Sequence, residues 1–171
     1  VMNNTLIGGS GDDLLNGTTG NDVLVGGFDN DTYTFGSSLA GEADQVIENT
    51  NEGVDTLSFA TQSTDVILDL SSTAVQSVHQ NRTLKLNSGG TIENVAGGSG
   101  NDRLTGNVLA NRLNGGHGNN ILIGLDGSDI LEAGNGRDIL IGGRGADTLT
   151  GGGGDDILIA DEPCSTPTQR A

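Results

Sequence analysis

A nine-residue repeat constrains this chain more than any other feature. From Gly97 the sequence divides into GGSGNDRLT, GNVLANRLN, GGHGNNILI, GLDGSDILE, AGNGRDILI, GGRGADTLT and GGGGDDILI. The eighth position is leucine in every unit: Leu104, Leu113, Leu122, Leu131, Leu140, Leu149 and Leu158. The sixth is Asp or Asn: Asp102, Asn111, Asn120, Asp129, Asp138, Asp147 and Asp156. Near the N-terminus GGSGDDLLN, GTTGNDVLV and GGFDNDTYT carry the same pattern, with Asp13, Asp22 and Asp31 sixth and Leu15, Leu24 and Tyr33 eighth. A period of nine fits neither a helix nor a simple alternating strand. Each unit reads as a Gly-rich turn followed by a short extended triplet such as DIL or DTL. A three-residue strand is unstable alone, so each must stack on copies of itself. Winding turn, strand, turn, strand places each unit above the one two units on, with the leucines as an inner ladder.

Composition agrees with that core. Thirty glycines, one Tyr, three Phe and no Trp cannot build an interior of large aromatic side chains. Low hydrophobicity with a net charge of −16 would by itself read as disorder, and the regular spacing argues against it. With 23 acidic against 7 basic residues, nucleic acid and anionic membrane surfaces are not expected partners, because both need cationic contacts. No apolar run approaches the roughly 18 residues of a membrane span.

The carboxylates carry the chemistry. Stacking brings sixth-position acids of alternate units to about the 4.8 Å spacing of strands, where like charges repel. A hard divalent cation reverses the sign. Calcium accepts roughly 6–8 oxygens in tolerant geometry, whereas magnesium demands near-ideal octahedral ligation. The expected ligands are Asp13, Asp22, Asp31, Asp102, Asn120, Asp129, Asp138, Asp147 and Asp156. Backbone carbonyls of the opening glycines Gly8, Gly26, Gly97, Gly115, Gly124, Gly142 and Gly151 are expected to join them.

The pattern GGxGxDxUx, as it stands in GGSGNDRLT, GGRGADTLT and GGGGDDILI, resembles the RTX family of secreted bacterial proteins. The resemblance implies an all-β, right-handed parallel β-roll with calcium held between alternate turns, in a chain that folds after export into a calcium-rich medium. Carried onto this sequence, it implies one edge with Asp102, Asn120, Asp138 and Asp156, and another with Asn111, Asp129 and Asp147. Asp13 and Asp31 would share an ion, with Asp22 on the opposite edge. Asn111 and Asn120 depart from the family's Asp and imply weaker or vacant sites.

Four segments are expected within one continuous domain: N-terminal repeats over 1–34, an irregular middle over 35–96, seven repeats over 97–159 and a tail over 160–171. DQVIE, VDTLSF, DVILDL, RTLKL and TIENVA in the middle look like strands continuing the parallel coil. The succession GVDTLSF, VILDLSS and TIENVAGGSGND also resembles the segment before the repeats in serralysin-type metalloproteases. Asp44, Glu48 and Asp55 leave two readings open, a further ion site and solvated surface acids. The tail, with Pro163, Cys164 and Pro167, reads as a cap that blunts the last strand. An uncapped first coil would favour head-to-tail self-association.

No catalytic constellation is expected. His79 and His117 lie far apart without zinc-protease flanks, and neither a GxSxG elbow nor a GxxxxGK[ST] loop occurs. The expected function is an extracellular calcium-binding scaffold, adhesin segment or filament subunit binding roughly five to eight ions. The alternative is the noncatalytic folding and secretion module of a larger secreted enzyme.

Overall fold

The computed structural model describes residues 2–38, 40–50 and 52–161. The described residues are all β, so no helix among them is long and apolar enough to cross a membrane. The strands in chain order are β1 (Thr5–Ser10), β2 (Leu14–Leu15), β3 (Val23–Phe28), β4 (Thr32–Thr34), β5 (Glu42–Ile47) and β6 (Thr56–Ser58). They continue with β7 (Ile67–Asp69), β8 (Gln76–His79), β9 (Arg82–Leu86), β10 (Asn94–Ala96), β11 (Arg103–Thr105) and β12 (Arg112–Asn114). The last are β13 (Ile121–Asp126), β14 (Ile130–Asn135), β15 (Ile139–Arg144), β16 (Thr148–Gly153) and β17 (Ile157–Asp161).

Successive strands of the repeats alternate between two faces, as expected when one nonapeptide is half a coil. One face is a seven-stranded sheet in the order β16-β14-β12-β10-β6-β4-β2. The other is split into β17-β15-β13-β11-β7 and β1-β3-β5-β9-β8. Pairing is parallel and joins alternate units: Ile121 lies opposite Ile139, and Ile130 opposite Thr148. The chain is thus a parallel β-roll.

Strand register turns the eighth positions into two apolar columns. Leu15, Tyr33, Leu57, Val95, Leu113 and Leu131 follow one another through the seven-stranded sheet. Leu68, Leu104, Leu122 and Leu140 do so on the opposite face. All ten are buried. Each contributes roughly 1.5–3 kcal/mol by leaving water, which lets many small rungs replace a large-residue core.

The middle stretches singled out in the sequence form β5, β6, β7, β9 and β10. One connection departs from the expected all-parallel continuation. β8 pairs antiparallel with β9, because Gln80–Asn81 reverses the chain and Asn81 adopts the left-handed conformation (φ 70°). This hairpin adds a strand at the end of the N-terminal half-face. Two of the four aromatic residues, Phe35 and Phe59, lie beside it. Phe35 and Phe59 stack at 5.0 Å, His79 meets Phe59 edge-on at 6.3 Å, and the Arg82 guanidinium lies 5.4 Å from the Phe35 ring. The proposed cap, with Cys164, lies outside the described residues.

Leu122 is flanked on both sides by ladder leucines. Leu122→Ala is expected to cost about 2–5 kcal/mol, measured by urea unfolding at saturating calcium, while the β-type circular dichroism spectrum persists.

Candidate metal centres along the turns

The sixth-position side chains form the two edges of the roll, and their two oxygens have different roles. One accepts a main-chain N–H from the coil before. The Asp13 amide donates to Asp31 Oδ1 (2.8 Å), the Asp31 amide to Asp55 Oδ1 (2.8 Å) and the Asp55 amide to Glu93 Oε2 (2.8 Å). On that same edge the Asn111 amide donates to Asp129 Oδ1 (2.8 Å) and the Asp129 amide to Asp147 Oδ1 (2.9 Å). The other edge runs from Asp22 to Asp44 and, after a break, through Asp102, Asn120, Asp138 and Asp156. An exposed fifth-position ladder runs the other way. There the Asn30 amide donates to Asp12 Oδ1 (2.9 Å) and the Asn119 amide to Asn101 Oδ1 (2.8 Å).

The second carboxylate oxygen is where the chemistry lies. Asp13, Asp22, Asp31, Asp129, Asp138 and Asp147 each hold a buried Oδ2 with no hydrogen-bond partner, and Glu48 holds such an Oε2. A buried anionic oxygen without a donor is costly, and a cation is the partner that removes the cost. The opening glycines make the space. A Cβ on Gly124 would strike both Asp129 Oδ2 and the Gly142 carbonyl, and one on Gly8 both Asp13 Oδ2 and the Gly26 carbonyl. Carbonyls of Gly115 and Gly124 likewise converge with the side chains of Asp102 and Asn111. Gly97 and Gly151 are seen instead through their missing side chains, where a Cβ would collide with the carboxylates of Asp102 and Asp156. The oxygen sets at Asp13 and Asp129, whose Oδ2 atoms are unpartnered, suit a hard cation such as calcium.

At the centre of the roll the same positions are satisfied by protein. Asp102 accepts from the amides of Val66 (2.8 Å) and Gly98 (2.8 Å). Asn111 donates to the Glu93 carbonyl (3.0 Å) and accepts from the Asn107 amide (2.7 Å). Asn120 turns its Nδ2 toward the Ala133 carbonyl (3.1 Å), the counterpart of the Gly142 carbonyl beside Asp129. An amide N–H thus stands where the acidic units offer an oxygen. Arg82 acts similarly at the irregular middle: buried, it pairs with Glu42 at 2.5 Å and with Asp44. Asp44 therefore does not join Glu48 and Asp55. Asp31 does, and the ligand oxygens of Asp31, Glu48 and Asp55 all lie within 4.8 Å of one another. Glu93, Arg82 and Asn107 carry no repeat signal in the sequence. His79 is buried with Nδ1 against the Gln80 carbonyl at 3.0 Å, whereas His117 is exposed.

Burial raises these acids. Desolvation lifts Glu48 to about 7, with the charges of Asp55, Asp31 and Glu52 adding to it and the Tyr33 hydroxyl opposing. Desolvation, reinforced by the charges of Asp147 and Asp126, lifts Asp129 to about 6. Asp31, Asp55, Asp102 and Asp138 move up for the same first reason. For an acid whose folded value is raised, the folded chain binds more protons than the unfolded one. The stabilising contribution is full below about pH 4 and is lost as pH rises through about 6–7. Metal-free protein is therefore expected to hold more β signal by far-UV circular dichroism at about pH 4 than at about pH 8. With calcium present the order reverses, since protons compete for the same oxygens; parallel spectra with and without calcium check both.

Asn120→Asp replaces the donor facing Ala133 with an acceptor. It is expected to destabilise the fold by about 1–3 kcal/mol at calcium concentrations below saturation and to add one calcium to the stoichiometry measured by isothermal titration calorimetry.

Comparison with known families agrees with this geometry. The family model described as the RTX calcium-binding nonapeptide repeat (4 copies) matches residues 2–33, 88–108, 96–131, 105–140 and 132–162, more than half of the chain. No curated protein matches it.

Proposed function

The chain belongs to the RTX calcium-binding nonapeptide-repeat family, and on that premise we propose that it is an extracellular scaffold or adhesin segment that calcium folds and stiffens. The observation that carries this reading is the set of buried carboxylate oxygens without hydrogen-bond partners, spaced along both edges of the roll. With a net charge of −16, the metal-free coil must hold like charges in register. Five divalent ions would reduce that charge to about −6, coupling binding to folding. Such coupling suits a chain exported from low to high calcium, where sites of about 10⁻⁴–10⁻³ M affinity fill outside the cell. No catalytic role belongs to this reading. The parallel stack has a long, regular, acidic shape with a Leu interior, which suits bearing load or spacing other domains.

Far-UV circular dichroism during a calcium titration of chelator-stripped protein tests this. A cooperative change from coil to β signal is expected, reversed by excess chelator. A β spectrum indifferent to chelator would mean that the Leu ladders and main-chain bonds suffice, and the reading would fail.

A further inference from the structure

One buried acidic group is not built by the repeats alone. Asp31 belongs to the unit GGFDNDTYT, but Glu48 and Asp55 come from the irregular middle. All three are about 1% exposed, and their ligand oxygens lie within 4.8 Å of one another. Asp31 Oδ2, which lies with Glu48 Oε1 around Gly26, has no hydrogen-bond partner, and neither has the buried Glu48 Oε2. Among the described residues no cationic side chain pairs with any of the three.

The positions of these groups are fixed from outside. Asp31 Oδ1 accepts the Asp13 amide at 2.8 Å, and Asp55 Oδ1 accepts the Asp31 amide at 2.8 Å. Asn87 clamps the Glu48 backbone from both sides, accepting from its N–H at 2.9 Å and donating to its carbonyl at 2.6 Å. The Tyr33 hydroxyl donates to Glu48 Oε1. Gly26 leaves the room: a Cβ there would collide with Asp31 Oδ2, Glu48 Oε1 and the Tyr33 oxygen together.

From this arrangement we infer that Asp31, Glu48 and Asp55 form a cation site in which one repeat acid is joined by two ligands from outside the repeats, with Tyr33 hydrogen-bonded to one of them. The inference deepens the calcium reading and rests on it. The ligand class is a hard, oxygen-seeking cation of charge two or three, because three carboxylates in a buried space leave uncompensated negative charge that soft or monovalent ions match poorly. The repeat pairs place two carboxylates per rung, while this site gathers three. With more charge it is expected to fill first as calcium rises.

The sequence provides its own probe. Tyr33 is the one tyrosine and there is no Trp, so excitation of the tyrosine band sensitises terbium emission from an ion close to Tyr33 and not from ions elsewhere on the roll. Terbium is titrated into the full chain, stripped of calcium, with Glu48→Gln, Asp55→Asn and the distant Asp129→Asn as variants. Far-UV circular dichroism in calcium is recorded for all four. The expected result is saturable sensitised emission from the unsubstituted chain, displaced by calcium and retained in Asp129→Asn. Glu48→Gln and Asp55→Asn should weaken terbium binding on the order of tenfold or more while still acquiring the β spectrum in calcium. No sensitised emission from a chain that does fold with calcium would overturn the site and leave the calcium reading standing. Emission undiminished in Glu48→Gln would also overturn it, placing the ion on the Asp13–Asp31 rung instead. A chain that neither folds with calcium nor sensitises terbium would remove the calcium reading and the site together.

Discussion

Stacked, buried carboxylates are the constraint on which the remainder of this structure depends. The acidic coils place one acid above another at strand spacing, and each acid uses one oxygen to accept a main-chain N–H from its neighbour. That bond helps set the register between coils, as in Asp13 with Asp31 and Asp129 with Asp147. The same bond orients the second oxygen into a space bounded by a carbonyl and an absent side chain, as at Gly124 and Gly142. Holding the coils together and creating a demand for a cation are therefore one arrangement. The Leu columns supply apolar burial, but they do nothing to offset the charge.

The chain answers that demand in three ways. The acidic units at both ends leave an oxygen unpaired. Asn111 and Asn120 carry their own N–H donors, and Arg82 brings a full positive charge to Glu42 and Asp44. These protein-borne donors lie in the central part of the coil, close to where one face is interrupted between β7 and β8. A region that breaks the regular stack has fewer identical rungs to share strain, and at Glu42, Asp44, Asn111 and Asn120 side chains satisfy the polar groups without a metal. The aromatic residues Phe35 and Phe59 fill the same region, where the loops are too irregular for a single leucine per coil to complete the interior.

Backbone geometry adds a local constraint. In eight of the ten units the second and fourth positions adopt positive φ, and glycine occupies most of them, as Gly143 (110°) and Gly145 (143°) show. Leu125 takes the second position of its turn at φ 81°, a conformation that costs an L-residue roughly 1–2 kcal/mol. The close approach of the Gly127 carbonyl to Gly145 explains the glycine at the fourth position there, since a Cβ would strike it. Turn chemistry, strand spacing and side-chain ladders thus agree on one coil geometry.

The nonapeptide by itself determined the parallel coil, the leucine columns and the placement of sixth-position acids on two edges, because a period of nine with a fixed apolar position allows few ways to stack. The strands of the middle were legible without the repeat, from short β-prone stretches such as DVILDL and RTLKL. Tertiary structure alone decided the antiparallel β8–β9 hairpin, which hangs on a two-residue reversal with no composition signal. It decided too that Glu48 meets Asp31 and Asp55 while Asp44 meets Arg82. Those partners are separated along the chain by turns of unequal length, so no fixed spacing encodes them. The role of Asn120 was half legible. Its missing charge could be read from the residue type, but the carbonyl that its N–H satisfies belongs to the next coil, and only the packed stack brings the two together.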